Sequence, residues 1–90
     1  MVNLTNRERC ALVGVTEGKT STQIGAALQI SSKSVERALL AARSKMGIVG
    51  RSGVGLLVAR AFEAGVVQPG ETLLPNGIIG TSARVLARRG

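Results

Sequence analysis

The chain contains no histidine, tryptophan or tyrosine; Phe62 is its one aromatic residue and Cys10 its one cysteine. Without histidine, the commonest general base and metal ligand is missing. One thiol excludes an internal disulfide, and scattered glutamates offer no metal-ligand spacing, so no metal or other cofactor is expected. The glycines of residues 47–55 (GIVGRSGVG) lack the Gly-Lys-Ser/Thr ending of a phosphate loop. Enzymatic function is therefore not expected. Scarce aromatics also argue against an all-β sandwich, which leans on aromatic and β-branched residues. The opening MVNLTNRERC has no apolar run of the signal-peptide kind. The apolar runs near 56–59 and 78–79 fall far short of the roughly 20 residues a membrane span takes. No segment combines strong amphipathicity with aromatic anchors, so a membrane partner is not expected either. The expected location is the cytoplasm, on the nucleoid if the partner is DNA.

What the chain does have is positive charge. In 90 residues, 12 Lys and Arg stand against 5 Asp and Glu, a net charge of +7. A small basic domain of this kind points to a polyanion, most often nucleic acid. Ninety residues make one small domain with a modest core.

Four helices are predicted between Leu4 and Gly65. Thr5-Asn6-Arg7-Glu8 is a capping box that opens the first helix, with Cys10, Ala11 and Val13 as its apolar positions and Gly18 as a stop. Cys10 reads as a buried structural thiol. Thr20-Ser21-Thr22-Gln23 is a second capping box, opening a helix over 21–28 whose inner side is Ile24, Ala27 and Leu28. Only Gln29-Ile30 separates it from Ser31, the next N-cap. Two helices joined so briefly cross steeply, which is the helix-turn-helix arrangement. The third helix, 32–46, places Val35, Ala38, Leu39, Ala42 and Met46 on one stripe at steps of three and four, and Gly47 ends it. Lys33, Arg37, Ser44 and Lys45 lie off that stripe. The fourth helix, from about 51 to 65, carries the stripe Val54, Leu57, Val58, Ala61, Phe62 and is apolar over much of its circumference. That suits either a central helix or a dimer contact. Beyond Gly65, Pro69-Gly70 and Pro75-Asn76-Gly77 mark turns, and Thr81-Ser82 can cap a short last helix bearing Arg84, Arg88 and Arg89. The expected division is a helical domain over 1–65 and a tail over 66–90 that is partly helical, disordered, docked or folded on a partner.

At these positions the chain resembles a known family. Leu4-Thr5-Asn6-Arg7-Glu8-Arg9 is similar to the opening LTxRE of LuxR/GerE-type helix-turn-helix domains. Gly18-Lys19-Thr20-Ser21-Thr22-Gln23-Ile24-Gly25 resembles that family's second helix, and Ala42-Arg43-Ser44-Lys45-Met46-Gly47 its closing R-K-L-G. Gln29 stands where the family often has Gly, Ala38 where it often has His, and Arg43 where an aromatic is frequent. With Leu4 so near the first residue, the likeness is to stand-alone, GerE-like members. The resemblance implies an all-α, four-helix DNA-binding domain whose third helix enters the major groove, in a bacterial transcription regulator.

Carried over residue by residue, the resemblance assigns base readout to Glu36, Arg37 and Leu40. Arg suits guanine O6 and N7, Glu suits cytosine N4, and Leu suits a thymine methyl. Phosphate contacts fall to Thr20, Ser21 and Thr22 at the start of the second helix, where free N–H groups and hydroxyls make an anion site. Ser32, Lys33 and Ser34 occupy the equivalent end of the third helix, and Arg43 and Lys45 its far end. The expected partners are double-stranded DNA and a second copy of the chain, the homodimer interface being Val54, Leu57, Val58, Ala61 and Phe62. The competing expectation is a protein-interaction module that binds another regulator through the fourth helix and tail.

Overall fold

The computed structural model describes residues 3–48 and 53–81. Its elements run α1 (Asn6–Thr16), α2 (Ser21–Leu28), α3 (Ser32–Lys45), α4 (Val54–Glu63), β1 (Glu71–Leu73) and β2 (Ile79–Thr81). The expected last helix lies outside the described residues.

Each of the first three helices begins at a side-chain cap. Thr5 accepts from the Glu8 N–H while Glu8 accepts from the Thr5 N–H, and Thr20 and Gln23 repeat the exchange. Ser31 accepts from the Ser34 N–H. Each cap satisfies donors that the first helical turn leaves open and contributes about 1 kcal/mol. Gly18 and Gly47 follow α1 and α3 with φ of +79° and +73°, the left-handed conformation that ends a helix most easily with glycine.

The turn between α2 and α3 rests on two residues. Gln29 takes φ +60° and ψ +42°, where only glycine is free of steric cost. Ile30 then folds back so that its N–H reaches the Gly25 carbonyl at 2.9 Å. A Cβ on Gly25 would stand 2.6 Å from the Ile30 carbonyl oxygen, so the missing side chain is what admits the turn. This sharp reversal sets the crossing of the helix-turn-helix.

The centre of the molecule is α1. Cys10, Ala11, Leu12 and Val13 are four consecutive buried residues, so this helix is covered on all sides. It meets α2, α3, α4 and β1. Ile24 and Ala27 from α2, Val35, Ala38 and Ala42 from α3, and Leu57 and Ala61 from α4 complete the helical core. Thus α4, apolar round much of its surface, is a peripheral helix with one buried side.

The segment after α4 forms a small antiparallel hairpin, with Glu71 opposite Thr81 and Leu73 opposite Ile79. No strand is expected from the sequence here. Three-residue strands carry too little alternation to read, and the turn residues at Pro75-Asn76-Gly77 are the visible signal. The hairpin docks on α1, and Val67 and Leu73 join the common core. Gly14 makes room for it: a Cβ there would come within 2.6 Å of Ile24 and 3.2 Å of Leu73.

Polar contacts hold the dock. The Arg9 Nε donates to the Val66 carbonyl at 3.0 Å and the guanidinium pairs with Glu71. Glu17 accepts from the Leu73 N–H at 2.7 Å, from the Thr72 hydroxyl, and from Lys19 at 3.1 Å. Partial burial pushes the Glu17 carboxyl up, but these donors outweigh it and hold its pKa below the ordinary value.

Two predictions follow from this geometry. Gln29→Gly relieves the left-handed strain, offset in part by the greater freedom of glycine in the unfolded chain. Stability should rise by up to about 1 kcal/mol, read as an increased Tm in thermal denaturation. Glu17 and Glu8 both have depressed folded-state pKa values. Their stabilisation is therefore complete above the unfolded-state value, about 4.3, and is lost as pH falls through the lower folded-state values. Glu17→Gln should flatten that acid limb of stability against pH; an unchanged limb would count against the Glu17 anchor.

Candidate nucleic-acid interface

Packing on α1 and α2 consumes one side of α3 and leaves the other open. Val35, Ala38 and Ala42 are buried, with Leu39 and Met46 packed beside them. Ser32, Lys33, Glu36, Arg37 and Leu40 are exposed, and Ser34 and Arg43 are half-buried. Positions 33, 36, 37, 40 and 44 recur at helical spacing, so they share a face. Leu40 is 66 % exposed, the most open of the large apolar side chains among the described residues. A leucine projecting from the middle of a cationic helix face is unfavourable in water, and suits contact with an apolar group such as a thymine methyl.

Ion pairing sharpens this face. All five carboxylates of the chain are described, and four are paired: Glu8 with Lys45, Glu17 with Lys19, Glu63 with Arg60 and Glu71 with Arg9. Only Glu36 has no ion pair among the described residues. Among the described residues the cations left over are Arg7, Lys33, Arg37 and Arg43. Three of them are on α3 and the fourth is on the first turn of α1. Among the described residues, the free positive charge is therefore collected around the exposed side of α3.

Lys45 is placed differently from the other cations. Its ammonium donates to Glu8 Oε1 at 2.7 Å, tying the last turn of α3 to the first turn of α1. Burial works to raise the Glu8 pKa, but Lys45 and the Thr5 N–H outweigh it and the group is held ionised, below its ordinary value. The hydroxyl of Thr20 is engaged as the α2 cap, and Ser34 is joined to the Ser31 cap through both its N–H and its hydroxyl. Thr22 is exposed and Ser21 half-buried at the start of α2.

The stripe assigned to dimerisation needs correction. Leu57 and Ala61 are buried in the chain's own core, at 1 % and 0 % exposure, because α4 turns that side to α1. They cannot also present surface to a second copy. Val58 is half-buried, and the exposed large apolar side chains among the described residues of α4 are Phe62, at 40 %, and Leu56, at 43 %. Val54 opens the helix. Leu56 lay outside the expected stripe because periodicity finds an apolar side without telling which side meets the core.

Other chemistry is sparse. Cys10 is buried, its thiol lies 3.4 Å from the Gly77 carbonyl, and burial raises its pKa, all of which suit a packed structural thiol. No metal-binding group of His, Cys, Asp or Glu occurs among the described residues. No described helix is long and apolar enough to cross a membrane.

An α2–α3 pair joined by a three-residue turn on a helical core, with the second helix exposed and cationic on its outer face, defines a helix-turn-helix DNA-binding domain. The chain matches the family of bacterial regulatory proteins of the luxR (GerE) type over residues 2–57, and it belongs to that family. It is accordingly a DNA-binding domain of the transcription-regulator class. The match ends within α4, so the docked hairpin lies beyond the shared family region. No curated protein and no solved structure matches the chain closely enough to add to this.

Proposed function

We propose that the protein is a sequence-specific transcription regulator that binds a two-fold operator as a homodimer, with α3 in the major groove. The observation that carries this reading is the segregation of charge among the described residues: the paired cations lie off the exposed face of α3, and the unpaired ones surround that face, which bears Glu36, Arg37 and Leu40.

Arg37 donates a bidentate pair to guanine O6 and N7, Glu36 accepts from cytosine N4, and Leu40 meets a thymine methyl. Lys33 and Arg43 lie along the same helix and neutralise flanking phosphates, and the hydroxyls and free N–H groups of Ser32 and of Ser21 and Thr22 fix the register. Thr20 contributes through the helix end that it caps, and Ser34 through the Ser31 cap that it joins. Lys45, held by Glu8, acts chiefly by setting the angle of α3. The dimer uses the outer side of α4, with Phe62 and Leu56 as its apolar centre. Such a protein works in the cytoplasm on the nucleoid, needs no cofactor and performs no catalysis.

The first test is duplex affinity against salt. Binding should weaken steeply as salt rises, because phosphate contacts release counterions. Arg37→Ala should cost about 1–3 kcal/mol at the selected operator and relax selectivity at one guanine position. A protein with no affinity for any duplex at low salt would overturn the reading in favour of a module that binds another regulator. The dimer has its own check. Phe62→Glu should leave helix content unchanged and move the protein to monomer in sedimentation; a dimer of unchanged strength would mean that α4 does not form the interface.

A further inference from the structure

A groove of about 340 Å³ runs between the start of α1 and the middle of α3. Thr5, Arg7 and Glu8 form one wall, and Ser34, Arg37, Ala38 and Ala41 the other. The small alanines keep it open. Arg7 and Arg37 line it from different helices, and neither has an ion-pair partner among the described residues. The one carboxylate on the groove, Glu8, is already taken by Lys45 at 2.7 Å and the Thr5 N–H at 2.9 Å. Its charge is thereby compensated on the spot.

Arg7 is also badly placed for a surface cation. It lies in the first turn of α1, where the helix dipole is positive and a cation is disfavoured. An anion in the groove would answer both the dipole and the free Arg7 guanidinium. The position of the groove says which anion. Its α3 wall, Ser34 to Ala41, adjoins the exposed face that holds Lys33, Glu36, Arg37 and Leu40. With that face in the major groove, the strand bounding the major groove passes beside α3 on the side where α1 begins.

We infer that the groove between α1 and α3 is a phosphate site, in which Arg7 grips a backbone phosphodiester of the bound duplex while Arg37 stands on the opposite wall. This rests on the DNA-binding reading above and extends the contact surface to a helix outside the helix-turn-helix pair. Arg7 is then an affinity residue, blind to sequence, beside an Arg37 that reads a base.

The test compares Arg7→Gln and Arg7→Lys with the unaltered protein on operator and unrelated duplexes. Arg7 is exposed, so the variants should fold, and circular dichroism is the check. Arg7→Gln should weaken both duplexes by the same factor and lower the slope of log affinity against log salt by about one. Arg7→Lys should restore the slope. If the unaltered protein binds DNA and Arg7→Gln leaves the slope unchanged, the groove assignment fails and the DNA-binding reading stands. If the unaltered protein binds no duplex, both fall together. A parallel titration with inorganic phosphate, followed through the arginine side-chain NMR signals, addresses free phosphate. Millimolar or tighter binding in the groove with an unchanged salt slope would make it a site for a small phosphate compound and overturn the backbone assignment.

Discussion

The architecture depends on one buried carboxylate. Glu8 is the only charged residue buried among those described, and its Oε1 meets two donors. That one oxygen caps α1 through the Thr5 N–H and holds the Lys45 ammonium of α3. A buried charge is tolerated only when it is paired and hydrogen-bonded, and removing one partner leaves the other exposed to a large desolvation cost. Glu8 thereby couples the start of the central helix to the end of the helix that faces outward. The exposed side of α3 follows from this pairing together with Val35, Ala38 and Ala42, which seat the opposite side in the core.

The same economy of negative charge shapes the surface. With five carboxylates for twelve cations, each ion pair made in the body removes an acidic group from the remaining field. Glu17 and Glu71 are committed to the hairpin, Glu8 to α3 and Glu63 to Arg60 on α4. The positive potential that remains on the described residues is concentrated on α3 and the first turn of α1. Binding to a polyanion and internal stability are thus linked through the disposition of the glutamates, not through the net charge alone.

The hairpin adds a different kind of support. The central helix has four neighbours to satisfy, and the helices supply three of them. Leu73 and Val67 close the remaining side, and Gly14 is the empty place on α1 into which Leu73 fits. In a small domain with a single aromatic residue, such added burial matters, since the core has little volume to spare. Cys10 takes part in the same seam through its contact with the Gly77 carbonyl.

The sequence by itself determined the local elements. Two capping boxes, the Ser31 cap and the helix-ending glycines mark α1, α2 and α3 because caps act within four residues of chain. Helical spacing likewise set Lys33 and Arg37 apart from Val35, Ala38 and Ala42, while Glu36 and Leu40 were picked out by the family resemblance. Tertiary structure alone decided which helix is central, which side of α4 is covered, and where Arg9, Glu17 and Lys45 find partners. Those partners stand 37 to 62 residues away in the chain. Periodicity and capping report neighbours within a turn or two, whereas burial and ion pairing depend on which surfaces the folded chain brings together. For that reason Leu57 and Leu56, one residue apart and alike in chemistry, part company: one completes the core and the other stays exposed.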